Sequence, residues 1–289
     1  MYMKIHVLQP IRSPTAFCNR LFLCLHSIEA IQPATLPPAF FSTQNPPSLK
    51  TMASSIPALC EEVKGLLPSD LREDRWYLLT VSALVASGKP TEVGKVYEYL
   101  VDTEYPNLTL EQERRIASRF SDLLMKEWTL VGIPSVLMAI SSLARVEKFL
   151  SATNTGLGEK RINIDLEKDI TERGTKFIQL LYKQNLEPIF DTWGSYKEEF
   201  AWLEKSVIYG LFLADQTVLS QVETLLVTLP SIMCQGWPGP ALWHLRGLRR
   251  LGQSVEDVEK VQQAVEAVAV WSGKSIEGWP RVTDVKDEI

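Results

Sequence analysis

Beyond residue 52 almost every segment of this 289-residue chain carries apolar residues at helical spacing, and almost none alternates as a strand would. The reading is an all-α fold. In "LREDRWYLLTVSALVASG" (71–88), Leu71, Leu78, Leu79, Val81, Ala83 and Val85 make a helix apolar on most sides, which belongs at the centre of a bundle. "KPTEVGKVYEYLVD" restarts after Gly88 with Pro90 in the first turn, where a missing N–H does no harm. "TLEQERRIASRFSDLLMKEW" opens on a Thr109–Gln112 capping-box pair and sets Ile116, Phe120, Leu123 and Leu124 on one face. "VGIPSVLMAISSLARVEKFL" follows a Gly–x–Pro turn.

A polar, glycine-bearing stretch, "SATNTGLGEKRINI" (151–164), is the natural boundary between two halves, 52–150 and 165–275, with a tail over 276–289. In the second half helices are predicted at about 165–184, 196–213, 217–235, 239–251 and 254–271. The halves repeat one another. "SALVASGKPTEVGKVYEYL" (82–100) lies against "PSIMCQGWPGPALWHLRGL" (230–248), each an apolar helix, a Gly–x–Pro and a second helix. Thr109 with "LEQE" then matches Ser254 with "VEDV". Each half thus builds a similar helical layer. In this register His244, the one histidine beyond residue 30, faces Val96, so a single active site would fall in the second half.

Composition narrows the function. The first 51 residues carry a net charge of +3 within a chain of net −5, leaving the body at −8, which excludes a general nucleic-acid-binding surface. Those residues, basic, hydroxyl-bearing and rich in proline, read either as a mitochondrial leader or as a segment upstream of a true start at Met52. The protein is then mitochondrial in the first case and cytoplasmic in the second. The two body cysteines, Cys60 and Cys234, are too far apart to suggest a disulfide framework or zinc site. The uncharged runs 128–144 and 224–243 are interrupted by prolines and read as buried helices, so no membrane association is expected.

In order along the chain, "ERGTKFIQLLY" (172–182), "VIYGLFLADQTVLS" (207–220), Glu223, Gly236, His244, Arg246–Gly247, Gly252 and "SVEDV" (254–258) resemble the carboxymuconolactone decarboxylase and AhpD-like family, in its fungal two-half form. "LVGIPSVLMAISSLA" (130–144) resembles the closing helix of that pattern. The resemblance covers about 70–275. It implies an AhpD-like helical bundle, self-association into a homo-oligomer, and proton transfer on a small organic acid by a decarboxylase or lyase. That chemistry would use His244 as acid or base, Glu223 to orient it or act as an acid, and Arg246 to hold a carboxylate. It requires no metal or other cofactor. The redox branch of the family needs a Cys-x-x-Cys pair ahead of the histidine; Trp237 and Pro240 occupy those positions, so peroxidase chemistry is not expected.

The residues themselves leave two readings open. On a helix His244 shares a face with Ala241, Leu248 and Leu251, which is a core stripe and would make it a buried neutral imidazole. The same position could line a pocket between helices. Glu223 reads equally as an exposed helix carboxylate, and Arg246, Arg249 and Arg250 as a solvated face or helix-end charges. Trp237 and Trp243 read as core or subunit-contact anchors, Tyr209 as packing and Cys234 as a small buried hydrophobe. The enzyme reading therefore stands beside a second one, a non-catalytic oligomeric scaffold or small-molecule-binding protein. Because 1–51 is separate in character from the body, a chain starting at Met52 is expected to keep the thermal unfolding midpoint of the full chain, measured by circular dichroism.

Overall fold

The computed structural model describes residues 54–147, 170–285 and 287. Residues 1–51 and the expected boundary at 151–164 lie outside these. Among the described residues every regular element is helical and there is no strand. No helix there is long and apolar enough to cross a membrane.

The centre is α3 (Trp76–Ala86), in which every residue from Trp76 to Val85 is buried. The sequence merges it with Leu71, but Asp74 adopts φ 54°, and Leu71 belongs to a separate one-turn helix, α2 (Ser69–Arg72). Before both lies α1 (Ile56–Leu66). After α3, Gly88 turns the chain at φ 80°, and a 3₁₀ turn beginning at Pro90 leads into α4 (Val93–Glu98), which widens into a π-helical stretch, Tyr99–Glu104. α5 (Leu110–Val131) begins at the expected capping box: Thr109 Oγ1 accepts from the Gln112 N–H at 3.3 Å, and Gln112 Oε1 accepts from the Thr109 N–H at 2.8 Å. Gly132 and Pro134 start α6 (Ile133–Val146).

The second series is α7 (Ile170–Tyr182), α8 (Leu186–Asp191) and α9 (Lys197–Trp202), the last continuing as a π-helix over Leu203–Leu213. It closes with α10 (Gln221–Met233), α11 (Pro238–Arg250) and α12 (Val255–Trp271). α10 is buried from Glu223 to Met233 and lies against α3, so the two all-round apolar helices cross at the middle of one core shared by elements from both sides of 151–164. Ser254 caps α12 by accepting from the Asp257 N–H at 3.0 Å, as Thr109 caps α5.

The tightest packing joins α7 to the π-helix. A Cβ on Gly174 would lie 2.0 Å from the Lys205 carbonyl oxygen, and one on Gly210 would lie 2.4 Å from that of Ile170, so two backbones touch where any side chain would part them. The last carbonyls of the π-helix have no onward partners along the chain. Arg173 donates to Gly210 O at 2.5 Å and Leu211 O at 3.3 Å. Lys126, fully buried on α5, donates to Phe212 O and Leu213 O at 3.1 Å each and to Asp215 O at 2.7 Å. Two cations thus close the negative end of this helix, where its dipole favours them.

Gly210→Ala is expected to destabilise the fold by on the order of 3 kcal/mol, because backbone rather than a flexible side chain must move. Gly65→Ala, exposed in α1 with nothing near its added Cβ, is expected to stabilise by about 0.5–1 kcal/mol. Urea unfolding of the two variants checks both signs.

Candidate functional site

His244 sits at the middle of α11 with 5% of its surface exposed, on the expected stripe with Ala241 and Leu248, which are also buried. Three helices supply its neighbours. Thr228 of α10 places Oγ1 3.1 Å from Nδ1, and Tyr182 at the end of α7 places Oη 3.4 Å from Nε2. The Tyr209 hydroxyl, from the π-helix, donates to Tyr182 Oη at 3.1 Å. A neutral imidazole donates from one ring nitrogen and accepts at the other, and here a hydroxyl stands at each of the two positions. Rings pack edge to face along the same line: Tyr182 meets Tyr209 at 6.2 Å, Trp243 at 6.1 Å and His244 at 6.2 Å between centroids.

Burial sets the chemistry of this chain of hydroxyls and imidazole. It pushes His244 down to about 4 and both tyrosines above their ordinary range, so all are neutral near pH 7. The motifs at 172–182 and 207–220 meet here: Gly174 on Gly210, Arg173 on the carbonyls of Gly210 and Leu211, Tyr182 on Tyr209.

Glu223 and Arg246 do not join His244 through any of these bonds. Glu223 is not an exposed helix carboxylate; it is 7% exposed, and α10 needs it at its first turn, where Oε2 accepts from the Ser220 N–H at 2.8 Å. Its Oε1 lies 2.7 Å from Arg119 Nη2 and 3.4 Å from Arg75 Nε. Burial alone would raise its carboxyl, but the Ser220 N–H and the Arg119 guanidinium outweigh that and hold it below the usual carboxylate range. Arg246, two residues along from His244 on α11, is 8% exposed rather than solvated. Arg250 is turned back on α7, donating to Leu181 O at 2.7 Å and Asn185 Oδ1 at 2.5 Å, and Arg249 donates to Gln253 O.

Cys234 is buried, and burial pushes its thiol up to about 11, as it pushes Cys60 up to about 12; neither is a thiolate near neutral pH. Trp243 packs on the core, whereas Trp237 is 60% exposed and is no core anchor.

Two acids escaped the sequence reading. Glu127 of α5 is fully buried and accepts from Ser231 Oγ at 2.9 Å, and burial raises its carboxyl well above its ordinary value. Glu204, in the first turn of the π-helix, has no hydrogen bond or ion pair among the described residues, and burial raises it to about 7. Its charge is felt by Tyr182 and Tyr209. Both acids sit in segments with helical spacing, where only the partner helix decides which face is covered.

No family model matches the chain, and no solved structure matches it. It is similar to peroxisomal protein 2 of Saccharomyces cerevisiae (strain ATCC 204508 / S288c), 20% identical over 253 residues, covering 69% of this chain and 89% of that protein.

The folded imidazole refuses a proton until about pH 4, while the unfolded ring takes one near 6.5. Its contribution to stability is therefore full above 6.5 and is lost as the pH falls toward 4, by on the order of 3 kcal/mol. His244→Asn is expected to be less stable than the parent by about 1–3 kcal/mol near pH 7.5. That gap should narrow as the pH is lowered through this window. Urea unfolding of parent and variant at matched pH isolates the histidine from Glu127 and Glu204, whose raised values act in the opposite direction.

Proposed function

We propose that this chain is a non-catalytic, self-associating helical scaffold on the AhpD-like two-half plan. The observation that carries the reading is the state of His244: 5% exposed, bonded at both ring nitrogens by hydroxyls, and neutral down to about pH 4. A general acid or base near neutral pH must exchange its proton in that range and reach a substrate. Behind the core, this imidazole lacks both properties and serves to join α7, α10 and α11. Glu223, committed to Ser220, Arg119 and Arg75, serves as a helix cap and ion-pair centre. The two-half plan draws support from the capped starts of α5 and α12 and from the positive-φ glycines Gly88 and Gly236, each two residues before a proline that begins a helix.

Self-association draws support from α6. Its narrow side, Val136, Ala139 and Ser142, is buried, while Ile133, Leu137, Met138 and Ile140 are 49%, 47%, 46% and 40% exposed. Beside them a groove of about 210 Å³ runs between α5 and α6, lined by Leu124, Met125, Trp128, Val136, Ile140 and Leu143 among others. The occupant proposed is the same face of a second copy. An apolar stripe is self-complementary about a two-fold axis, and Glu147 is the one charged residue lining the groove beside it.

A second reading keeps decarboxylase-like or lyase chemistry on a small organic acid, and the observation favouring it is Glu204. A carboxyl raised by burial to about 7, whose charge is felt by Tyr182 and Tyr209, is a candidate acid for such chemistry and would take that role from Glu223. For location, the leader-like 1–51 supports the mitochondrion and a start at Met52 the cytoplasm, while similarity to a protein named as peroxisomal adds the peroxisome.

Sedimentation at micromolar concentration is expected to give a homodimer, and Leu137→Asp a folded monomer with nearly the parent's melting temperature. A strict monomer for the parent overturns the proposed self-association. Screening small carboxylic acids and lactones is expected to give no turnover. Turnover abolished by Glu204→Gln in a folded protein would replace the scaffold with the second reading.

A further inference from the structure

Between α8 and α9 the chain turns through Gly194, at φ 55°, and a 3₁₀ turn ending at Tyr196. The turn and the helix after it form an open recess of about 580 Å³ lined by Thr192, Trp193, Tyr196 and Phe200. Three of its four walls are aromatic. Trp193 is anchored from beneath by Phe190, a buried ring whose centroid lies 4.7 Å away at a tilt of 38°. Tyr196 and Phe200 meet edge to face, 6.4 Å apart at 78°, so they form a corner, and they are 66% and 47% exposed.

Charge around the recess is net negative. From residue 187 to residue 205 the chain carries Glu187, Asp191, Glu198 and Glu199, besides the buried Glu204, against Lys197 and Lys205. Lys197 is already engaged, 3.1 Å from Glu187 and 2.7 Å from Asp191. Glu198 and Glu199, next to Phe200 in sequence, are exposed and make no ion pair among the described residues. The aromatic cluster also holds a cation of its own: Lys205 Nζ lies 4.9 Å over the Phe190 ring.

We infer that this recess binds small organic cations of the quaternary or methylated ammonium class. Ring faces attract positive charge through their quadrupoles, and methyl groups on the nitrogen fill an apolar corner while weakening the hydration that a bare ammonium would have to give up. The surrounding carboxylates raise the local concentration of cations and turn anions away. A neutral apolar guest would gain the rings but not the field, which separates this site from a greasy surface patch.

The test titrates the full chain with tetramethylammonium and with choline, followed by saturation-transfer NMR and calorimetry. Saturable binding in the millimolar range is expected, weakening with added salt. The uncharged analogue of choline, 3,3-dimethylbutan-1-ol, should bind at least about tenfold more weakly. Tyr196→Ala and Phe200→Ala remove exposed rings, and each should weaken choline binding about two- to fivefold. Their melting temperatures report whether the fold has survived. Glu198→Gln with Glu199→Gln should weaken binding and flatten its salt dependence while leaving the rings in place. Equal affinity for the neutral alcohol, ring variants that bind as the parent does, or no saturable binding up to about 50 mM would each overturn the inference.

Discussion

The end of the long π-helix is the constraint on which the second half of the molecule depends. A helix wound to π geometry leaves its final carbonyls facing the interior, and a buried carbonyl without a donor is expensive. Four consecutive carbonyls, Gly210 through Leu213, are met by Arg173 from α7 and Lys126 from α5. Lys126, fully buried, needs those acceptors, and the buried carbonyls need a donor; Arg173, half-buried, serves the first two of the four. The contact of Gly174 with Gly210 brings the backbones close enough for Arg173 to reach, and the same approach aligns Tyr209 with Tyr182 and so with His244. The buried hydroxyl–imidazole chain is thus a consequence of how a helix end is satisfied.

Much of the architecture was legible in the sequence because helical period and capping are local. The Thr109–Gln112 box, the apolar character of α3 and the bounds of α11 and α12 follow from neighbours within a turn or two, whereas α10 begins at Gln221, four residues after the expected start at 217. The break at Asp74 was not, since a left-handed residue other than glycine is held by its surroundings: Arg119 donates to its carbonyl at 2.6 Å and Arg115 to its carboxylate at 3.0 Å. The histidine stripe was readable, and it correctly placed His244 against the core. What the ring bonds to was hidden, because Thr228 and Tyr182 lie 16 and 62 residues away.

The surface divides in character as the core does not. The α6 face offers mainly apolar side chains, which suits a copy of itself; the α8–α9 corner offers aromatic faces inside a net negative field, which suits a small cation. Each depends on a helix whose buried side is thin. α6 spends only Val136, Ala139 and Ser142 inward, with Ser142 Oγ accepting from the Gly94 N–H at 3.0 Å, and this close seat is what leaves its larger side chains outside.

Lys126 also sets the order in which the protein can come into being. It stands on α5, yet every carbonyl it binds belongs to residues 212–215, made almost ninety positions later on the ribosome. Until those residues emerge, α1 to α6 carry an ammonium at a core position without the carbonyls that bind it in the finished fold, where Asp122 also lies 3.7 Å away. α3 meanwhile lacks α10, the helix that covers it. The first series of helices therefore leaves the ribosome with its central helix uncovered, and the shared core can close only once α10 has followed.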